Sequence, residues 1–485
     1  MSISQQVASS PRFRWFVLAN VSLGTFMATL DSSIVNVALP TISSQLSADL
    51  PTVQWVVAAY LLTISSLLPV FGRIADLFGR KKIYSSGFLL FTLGSLLCGI
   101  SNSIWFLVSM RVIQAIGAAM MMANSAAIVT SVFPPKERGR ALGLIGTVVA
   151  LGSLTGPALG GILVGLAGWR SIFYLNLPIG IIAYIAAQIV LPRDNPNQAK
   201  ESFDFAGAFL FTLGMITLLL GISNGHDWGW TSLPVLSALL LGVLCLGMFI
   251  VTESKVKHPL IDISLFRIRA FWAGNLAGLL SFVAMFSNTM LMPFYLQHIL
   301  GYNPSMVGLL MTSFPVVMAV VAPVSGHISD RTGPVILTTG GLVTSALGLL
   351  YLANLTATAS AWQVIPGPVL MGLGAGMFNS PNNSSVMGSV PPPKLGVASG
   401  INALVRNVGM VSGIAFSVSL FESHRGAALQ GILNPTPAQD VAAFMSAYHI
   451  VLYSAAVIAL AAALISLNRK TRQQAGRPAA DRANH

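Results

Sequence analysis

Charge is what this sequence has least of. Only 8% of its residues are Asp, Glu, Lys or Arg, and the acids number 14. A soluble protein carries about a quarter charged residues. With 54% of the chain hydrophobic, a water-soluble core of this size could not hide the apolar surface. A bilayer can, because lipid replaces water around the outside of the protein. Cysteine is equally sparse. Cys98 and Cys245 both lie in apolar runs, which excludes a disulfide framework and any metal-ligand spacing. There is no nucleophile–His–acid arrangement and no Walker A loop. The loops are too short for an ATPase domain, and histidines such as His298 and His327 fall near helix ends, where they read as interfacial. The expectation is a protein that is not an enzyme, holds no cofactor or metal, and draws its energy from an ion gradient. No cleaved leader is expected either, since Met1 to Pro11 is polar and the first apolar run ends without a small-residue cleavage pattern.

What is there is apolar length. A spanning helix needs roughly 20 mostly apolar residues. Such runs recur near 15–40, 53–72, 84–101, 104–126, 139–163, 172–191, 205–222, 233–252, 271–297, 305–326, 335–354, 362–387, 396–420 and 446–467, fourteen in all. Gly (45) and Pro (26) are plentiful, and both are commoner in membrane helices than in soluble ones. A net charge of +12 would raise nucleic acid as a partner for a soluble protein. Here the basic residues fall into short loops, so the expected partner is the lipid bilayer and no nucleic acid. With the N-terminus inside, cytoplasmic segments carry Arg12, Arg14, Arg73, Arg80 to Lys82, Lys136, Arg138, Arg140, Arg193, Lys200, Lys255, Lys257, Arg267, Arg269, Arg331, Lys394 and the basic tail. Only Arg111, Arg170, Arg406 and Arg425 fall elsewhere. The positive-inside rule then puts both termini in the cytoplasm of a multi-pass inner-membrane protein and requires an even helix count.

The chain also repeats itself. Gly139, Gly143, Gly152 and Gly156 recur at identical spacing as Gly396, Gly400, Gly409 and Gly413, and Gly117-Ala118 recurs at the same offset as Gly374-Ala375. Gly72, Asp76 and Gly79 return as Gly326, Asp330 and Gly333. The expected organisation is an N-terminal six-helix bundle over 12–192, a linker with two extra helices over 193–269, a C-terminal six-helix bundle over 270–467 and a cytoplasmic tail over 468–485. This is an all-α polytopic membrane protein with two pseudo-symmetric halves plus two central helices. Parallel repeats about the membrane normal place a substrate site between the halves near the midplane.

Particular motifs sharpen the reading. The string Gly72-Arg-Ile-Ala-Asp76-Leu-Phe-Gly79-Arg80-Lys-Lys resembles the signature loop of the major facilitator superfamily, and Gly326 to Gly333, with Asp330 and Arg331, is a degraded copy. The resemblance implies that Asp76 docks near Gly396, at the start of a second-half helix, where a carboxylate suits the helix N-terminus, and so holds the cytoplasmic side shut. Gly152-Ser-Leu-Thr-Gly156-Pro157-Ala-Leu-Gly160-Gly161 resembles the antiporter signature of drug exporters: small residues one turn apart permit close helix packing, and Pro157 removes a backbone hydrogen bond. The second copy has Ile414 at the proline position, so this feature is one-sided. Leu30 to Pro40, Trp169 to Gly180 and Pro259 to Arg267 are similar to segments of the fourteen-helix drug:proton antiporters, among them quaternary-ammonium exporters. The likeness spans almost the whole chain.

One acid, Asp31, lies well inside the expected bilayer, and an intramembrane ionisable residue is by default a functional one. Arg111 stands in Leu107-x-x-x-Arg111-x-x-Gln114-x-x-Gly117, which resembles the superfamily's proton-linked motif. Counted from the outer helix ends, Asp31 and Arg111 sit at about 13 Å and about 10 Å depth, so a contact between them is expected. A carboxylate beside a fixed cation keeps its charge, and one left in apolar surroundings takes up a proton. A changing Asp31–Arg111 distance would therefore couple proton binding to conformation. The repeat counterparts are Met285 and Pro368, so proton chemistry belongs to the first half, with the proton as coupling ion. Arg406, whose counterpart is Val149, either meets an anionic substrate or is held by Asn402 and Asn407; the second is the favoured expectation. Phe26, Tyr60, Asn288, Tyr295, Phe378 and Asn379, with Arg406, are the candidate cavity lining, aromatic with sparse polar groups. With Asp31 as the one counter-charge, monocationic or neutral lipophilic substrates are expected. The reading is a monomeric proton-coupled multidrug antiporter working by alternating access. A solute symporter and a lipid or glycolipid translocase are the alternatives on the same fold.

Overall fold

The computed structural model describes residues 13–134, 137–192, 204–225, 228–253, 255–256, 263–391, 394–432 and 434–469. Arg12, Lys136, Arg193, Lys200, Lys257, Pro259 to Asp262 and the tail beyond Arg469 lie outside the described residues. The described chain is helical throughout. Fourteen long helices run as α1 (Phe13–Gln45), α2 (Trp55–Phe78), α3 (Arg80–Gly99), α4 (Ile104–Val132), α5 (Arg138–Ala167), α6 (Asn176–Val190), α7 (Phe205–Asn224), α8 (Leu233–Glu253), α9 (Arg269–Phe294), α10 (Pro304–Thr332), α11 (Pro334–Leu352), α12 (Pro366–Gly388), α13 (Leu395–Ala428) and α14 (Pro437–Leu467). Among the described residues, thirteen helices are long and apolar enough to cross a membrane. The exception is α12, which has the length but carries Asn379, Ser380, Asn382, Asn383, Ser384 and Ser385. It is tolerated because it lies inside the second half. Its Gly372 abuts the Phe314 carbonyl of α10, and its Gly374 abuts Gly341 of α11, so close that a Cβ would overlap either carbonyl oxygen. Small residues at such crossings let helices touch backbone to backbone.

The helices outrun the apolar stretches at several ends. α1 continues to Gln45, α10 to Thr332, and α14 begins at Pro437 rather than near 446. The start of α14 is set by a capping box: Thr436 and Gln439 each accept a backbone N–H of the other, with Pro437 at the first helical position. Ser103 and Asn303 cap α4 and α10 by each accepting the backbone N–H three residues on. The repeat is visible at the turns. Gly79 closes α2 with φ 104° and Gly333 closes α10 with φ 84°, a region glycine enters without a Cβ clash.

Helices α1–α6 pack on one another, as do α9–α14, while α7 and α8 form a hairpin whose α7 packs on both α2 and α13. That hairpin is zipped by Gly214, Gly221 and Gly242 against Leu246, Leu239 and Leu218. It rests on the first half through Thr212, which donates to the Ser66 carbonyl of α2 at 3.3 Å.

The first and last described helices begin and end on one side of the bundle, termed here the terminal face; the opposite side is the far face. The halves meet at the far face. Gln297 donates to the Val37 carbonyl (3.1 Å), Thr41 donates to Gln297 (3.4 Å), and Ser305 donates to the Gly161 carbonyl (3.2 Å). Gly161 of α5 and Gly308 of α10 lie backbone to backbone; a Cβ added to either would sit 2.9 Å from the other's Cα. Toward the terminal face, Gly72, Gly143, Gly146, Gly388 and Gly400 have nothing within 4 Å of such an atom. The halves are thus joined at one end and apart at the other.

Candidate functional site

Five helices bring polar side chains to one sealed point in the first half. Asp31 comes from α1, Arg111 and Gln114 from α4, Ser95 from α3, Asn176 from the start of α6 and Tyr60 from α2. Arg111 and Gln114 are three residues apart and so share a helix face. Arg111 forms an ion pair with Asp31, and both side chains have 0% exposure. The same guanidinium donates through Nη1 to Gln114 Oε1 (2.7 Å) and through Nε to the Val56 carbonyl (2.9 Å). The other carboxylate oxygen of Asp31 accepts from Gln114 Nε2 (2.8 Å) and from Asn176 Nδ2 (3.0 Å). Both amides also donate to Ser95 Oγ, at 2.6 Å and 3.1 Å. The Tyr60 ring lies 4.0 Å from the guanidinium carbon, which is cation–π distance. Every side chain hydrogen-bonded to the carboxylate among the described residues acts as a donor to it.

The small-residue face of α5 holds the Asp31 segment in place. Gly152 packs on Thr29, Gly156 on Ser33 and Gly160 on Ile34, all at van der Waals limits or closer for an added Cβ. Ser33 also donates to the Gly152 carbonyl at 3.1 Å. One residue further round the helix, Gly161 faces Pro304 and Gly308 of the second half, and the Pro157 carbonyl lies against Gly308. One helix therefore grips both the buried acid's segment and the opposite half. α5 is unbroken through Pro157.

Several expectations need correction. Asp76 does not reach the start of α13. It pairs with Arg80 at 2.9 Å within its own turn, both being exposed, because the terminal face is the side on which the halves are apart. Asp330 and Arg331 are exposed as well. Tyr60 is not a cavity wall but the platform beneath Arg111, fully buried. Tyr295 is also buried, stacked on Tyr448 with ring centroids 5.0 Å apart and donating to the Thr356 carbonyl. Phe378 is packed into a core cluster with Leu342 and Ala462. Asn288 is buried beside Met371 and Tyr448. These aromatic and amide residues satisfy one another in the interior rather than lining a space. Phe26, Asn379 and Arg406 remain partly accessible. Arg406 is not held by its neighbours: Asn402 donates instead to Asn383 of α12 at 2.8 Å. Finally, Asp31 is closed off by its donors and is no counter-charge for a cationic substrate in this conformation. The roles of Ser95 and Asn176 escaped sequence reasoning; Asn176 stood inside a recognised motif, whereas a lone serine in an apolar run gives no signal. No cluster of His, Cys, Asp and Glu among the described residues could hold a metal.

The family model described as Major Facilitator Superfamily matches residues 21–414 and again 275–483. The chain belongs to the major facilitator superfamily. It is 37% identical over 411 residues to the riboflavin transporter RibZ of Clostridioides difficile, covering 84% of this chain and 88% of that one. It is 34% identical over 432 residues to the multidrug resistance protein Stp of Mycobacterium tuberculosis, covering 88% and 80%. Among solved structures it is similar to a bacterial homolog of the human lysosomal transporter Spinster, with TM-score 0.66 at 19% identity, covering 95% of this chain and 97% of that one; this similarity supports the fold. As a member of the superfamily the protein is a multi-pass membrane transporter and not an enzyme.

Proposed function

We propose that this transporter is a proton-coupled antiporter that exports lipophilic or amphipathic small molecules. It works as a monomer in the cytoplasmic membrane with both termini inside. The observation that carries the reading is Asp31 held by Arg111, Gln114 and Asn176 in a sealed pocket of one half, in a conformation whose halves are apart at the terminal face.

The sidedness rests on charge. Arg14, Arg73, Arg80 to Lys82, Arg138, Lys255, Arg267, Arg269, Arg331, Lys394 and Arg469 stand at helix ends of the terminal face, against Arg170 and Arg425 at the far face. By the positive-inside rule the terminal face is cytoplasmic. An exporter must have released its proton to the cytoplasm before it takes substrate from that side, and an Asp31 ringed by donors suits that step. When the halves close at the cytoplasmic face and part at the far face, the α5–α10 contact at Gly161 and Gly308 breaks. Because α5 also clasps Thr29 to Ile34, the break shifts α1 and draws Asp31 from its donors. A carboxylate so stranded in an apolar site takes up a proton, which arrives from outside. Asp76 would then reach the start of α13 and latch the cytoplasmic side. Relatives named for multidrug resistance and for riboflavin transport support organic small molecules as cargo.

The test is the sign of proton movement in everted vesicles. An exporter releases lumenal protons as substrate enters the lumen. A symporter moves both in one direction and would overturn the reading, as would lipid-reporter translocation without any small-molecule flux.

A further inference from the structure

We propose that Arg406 anchors the anionic group of an aromatic substrate in the cleft between the halves. The inference rests on the export reading above and narrows its substrate class to organic anions: aromatic carboxylates, sulfonates or phosphate esters.

Three of the described charged residues lie deep among the helices: Asp31, Arg111 and Arg406. The first two neutralise each other behind a wall with 0% exposure. Arg406 has no hydrogen-bond or ion-pair partner among the described residues, and no charged group acts on it. It stands on α13 about 16 Å from the helix start at 1.5 Å per residue, deep inside the molecular envelope, yet it is partly accessible to solvent. A side chain that is deep and still wetted lines a cleft. A guanidinium at membrane depth is costly unless it faces water or a partner; Arg406 faces water here and is free to take a ligand that supplies the opposite charge.

Its surroundings fit the body of such a ligand. One turn toward the terminal face, Asn402 is tied to the exposed Asn383, giving amide groups along the cleft wall. One and two turns toward the far face, Gly409 and Gly413 bring α13 against α9 beside Phe282 and Phe286, which are partly accessible. Aromatic faces next to a planar, bidentate cation match a flat ring system carrying an acid. Asn407 has a buried side-chain nitrogen without a partner, so it does not satisfy Arg406 from behind.

The experiment uses the full chain in detergent and two xanthene dyes of opposite charge, carboxyfluorescein and tetramethylrhodamine methyl ester. Binding is read by fluorescence anisotropy, which does not depend on proton coupling. Wild type is expected to bind carboxyfluorescein in preference. R406Q should weaken that binding by roughly ten- to hundredfold, the range for losing a charge-assisted contact, and leave the cationic dye unaffected. R406K should recover part of the loss, which a purely structural defect would not allow, and an unchanged melting temperature shows that R406Q is folded. Failure of wild type to bind carboxyfluorescein, or equal binding by R406Q, overturns the proposal. Charge-selective binding without proton-dependent transport of carboxyfluorescein in proteoliposomes would sink the export reading and leave the anion site standing.

Discussion

The two halves descend from one pattern and have put their charge to opposite uses. In the first half an acid and a base are locked together, and the amides of Gln114 and Asn176 donate to the carboxylate. In the second half the equivalent positions are Met285 and Pro368, and among the described residues the one deep charge, Arg406, has no hydrogen-bond or ion-pair partner and is partly accessible. A buried carboxylate closed in by its donors answers to conformation, since only a movement of its neighbours can open it. An unpaired cation in a cleft answers to whatever enters the cleft. On the proposed reading the contrast separates the driving ion from the cargo, one site per half, with α5 touching both halves.

The comparison can be broken most forcefully at Arg111. R111Q leaves Asp31 buried without its counter-charge, and breaking a buried pair costs about 3–5 kcal/mol. A large fall in melting temperature is expected, along with loss of proton-coupled transport. R406Q removes the same side chain from the other half and should leave the melting temperature near wild type. Similar destabilisation by both variants would erase the distinction between the halves.

Next in size is the shared contact of α5. A Cβ on Gly308 would overlap the Pro157 carbonyl, and overpacking of this kind costs about 1–3 kcal/mol. G308V should therefore favour the conformation with the far face apart. A cysteine at Thr41 would report it through faster thiol labelling, against a background of Cys98 and Cys245, both buried.

N176A removes one amide donor from Asp31 and should cost about 1–3 kcal/mol. It should also shift the pH dependence of transport, whereas the same change at Asn288, satisfied by Met371 and Tyr448, should not. The smallest effect on stability belongs to D76N. Its exposed pair with Arg80 is worth about 0.3–0.5 kcal/mol, so melting stays unchanged while transport slows because the opposite state loses its latch.

Much of the fold was legible in the sequence. Fourteen apolar runs, the recurrent glycines and the one-sided basic residues needed no structure, because lipid imposes length, composition and charge sidedness directly. α12 was read as a helix although its amides lower its hydropathy; its neighbours shield it from lipid. The Asp31–Arg111 contact followed from depth alone. What depth cannot give is direction. Tyr60, Tyr295 and Phe378 have the composition of a ligand pocket, yet each points into packing, since an aromatic ring satisfies a protein core as readily as a cavity. The Asp76 latch that the motif implies would belong to the state in which the halves are apart at the other end, and a sequence encodes both states at once. The reverse error concerned Arg406: nearby asparagines suggested a tether, but they bond across helices, not along one.

The central claim is that Asp31 carries the proton that drives export. It is tested most directly by measuring proton counterflow and substrate flux together in proteoliposomes, wild type against D31N. The account predicts that wild type moves protons out of the lumen as substrate enters, and that D31N, less thermostable because Arg111 loses its partner but shown to bind substrate, moves none. Proton counterflow by D31N at the wild-type rate would contradict it.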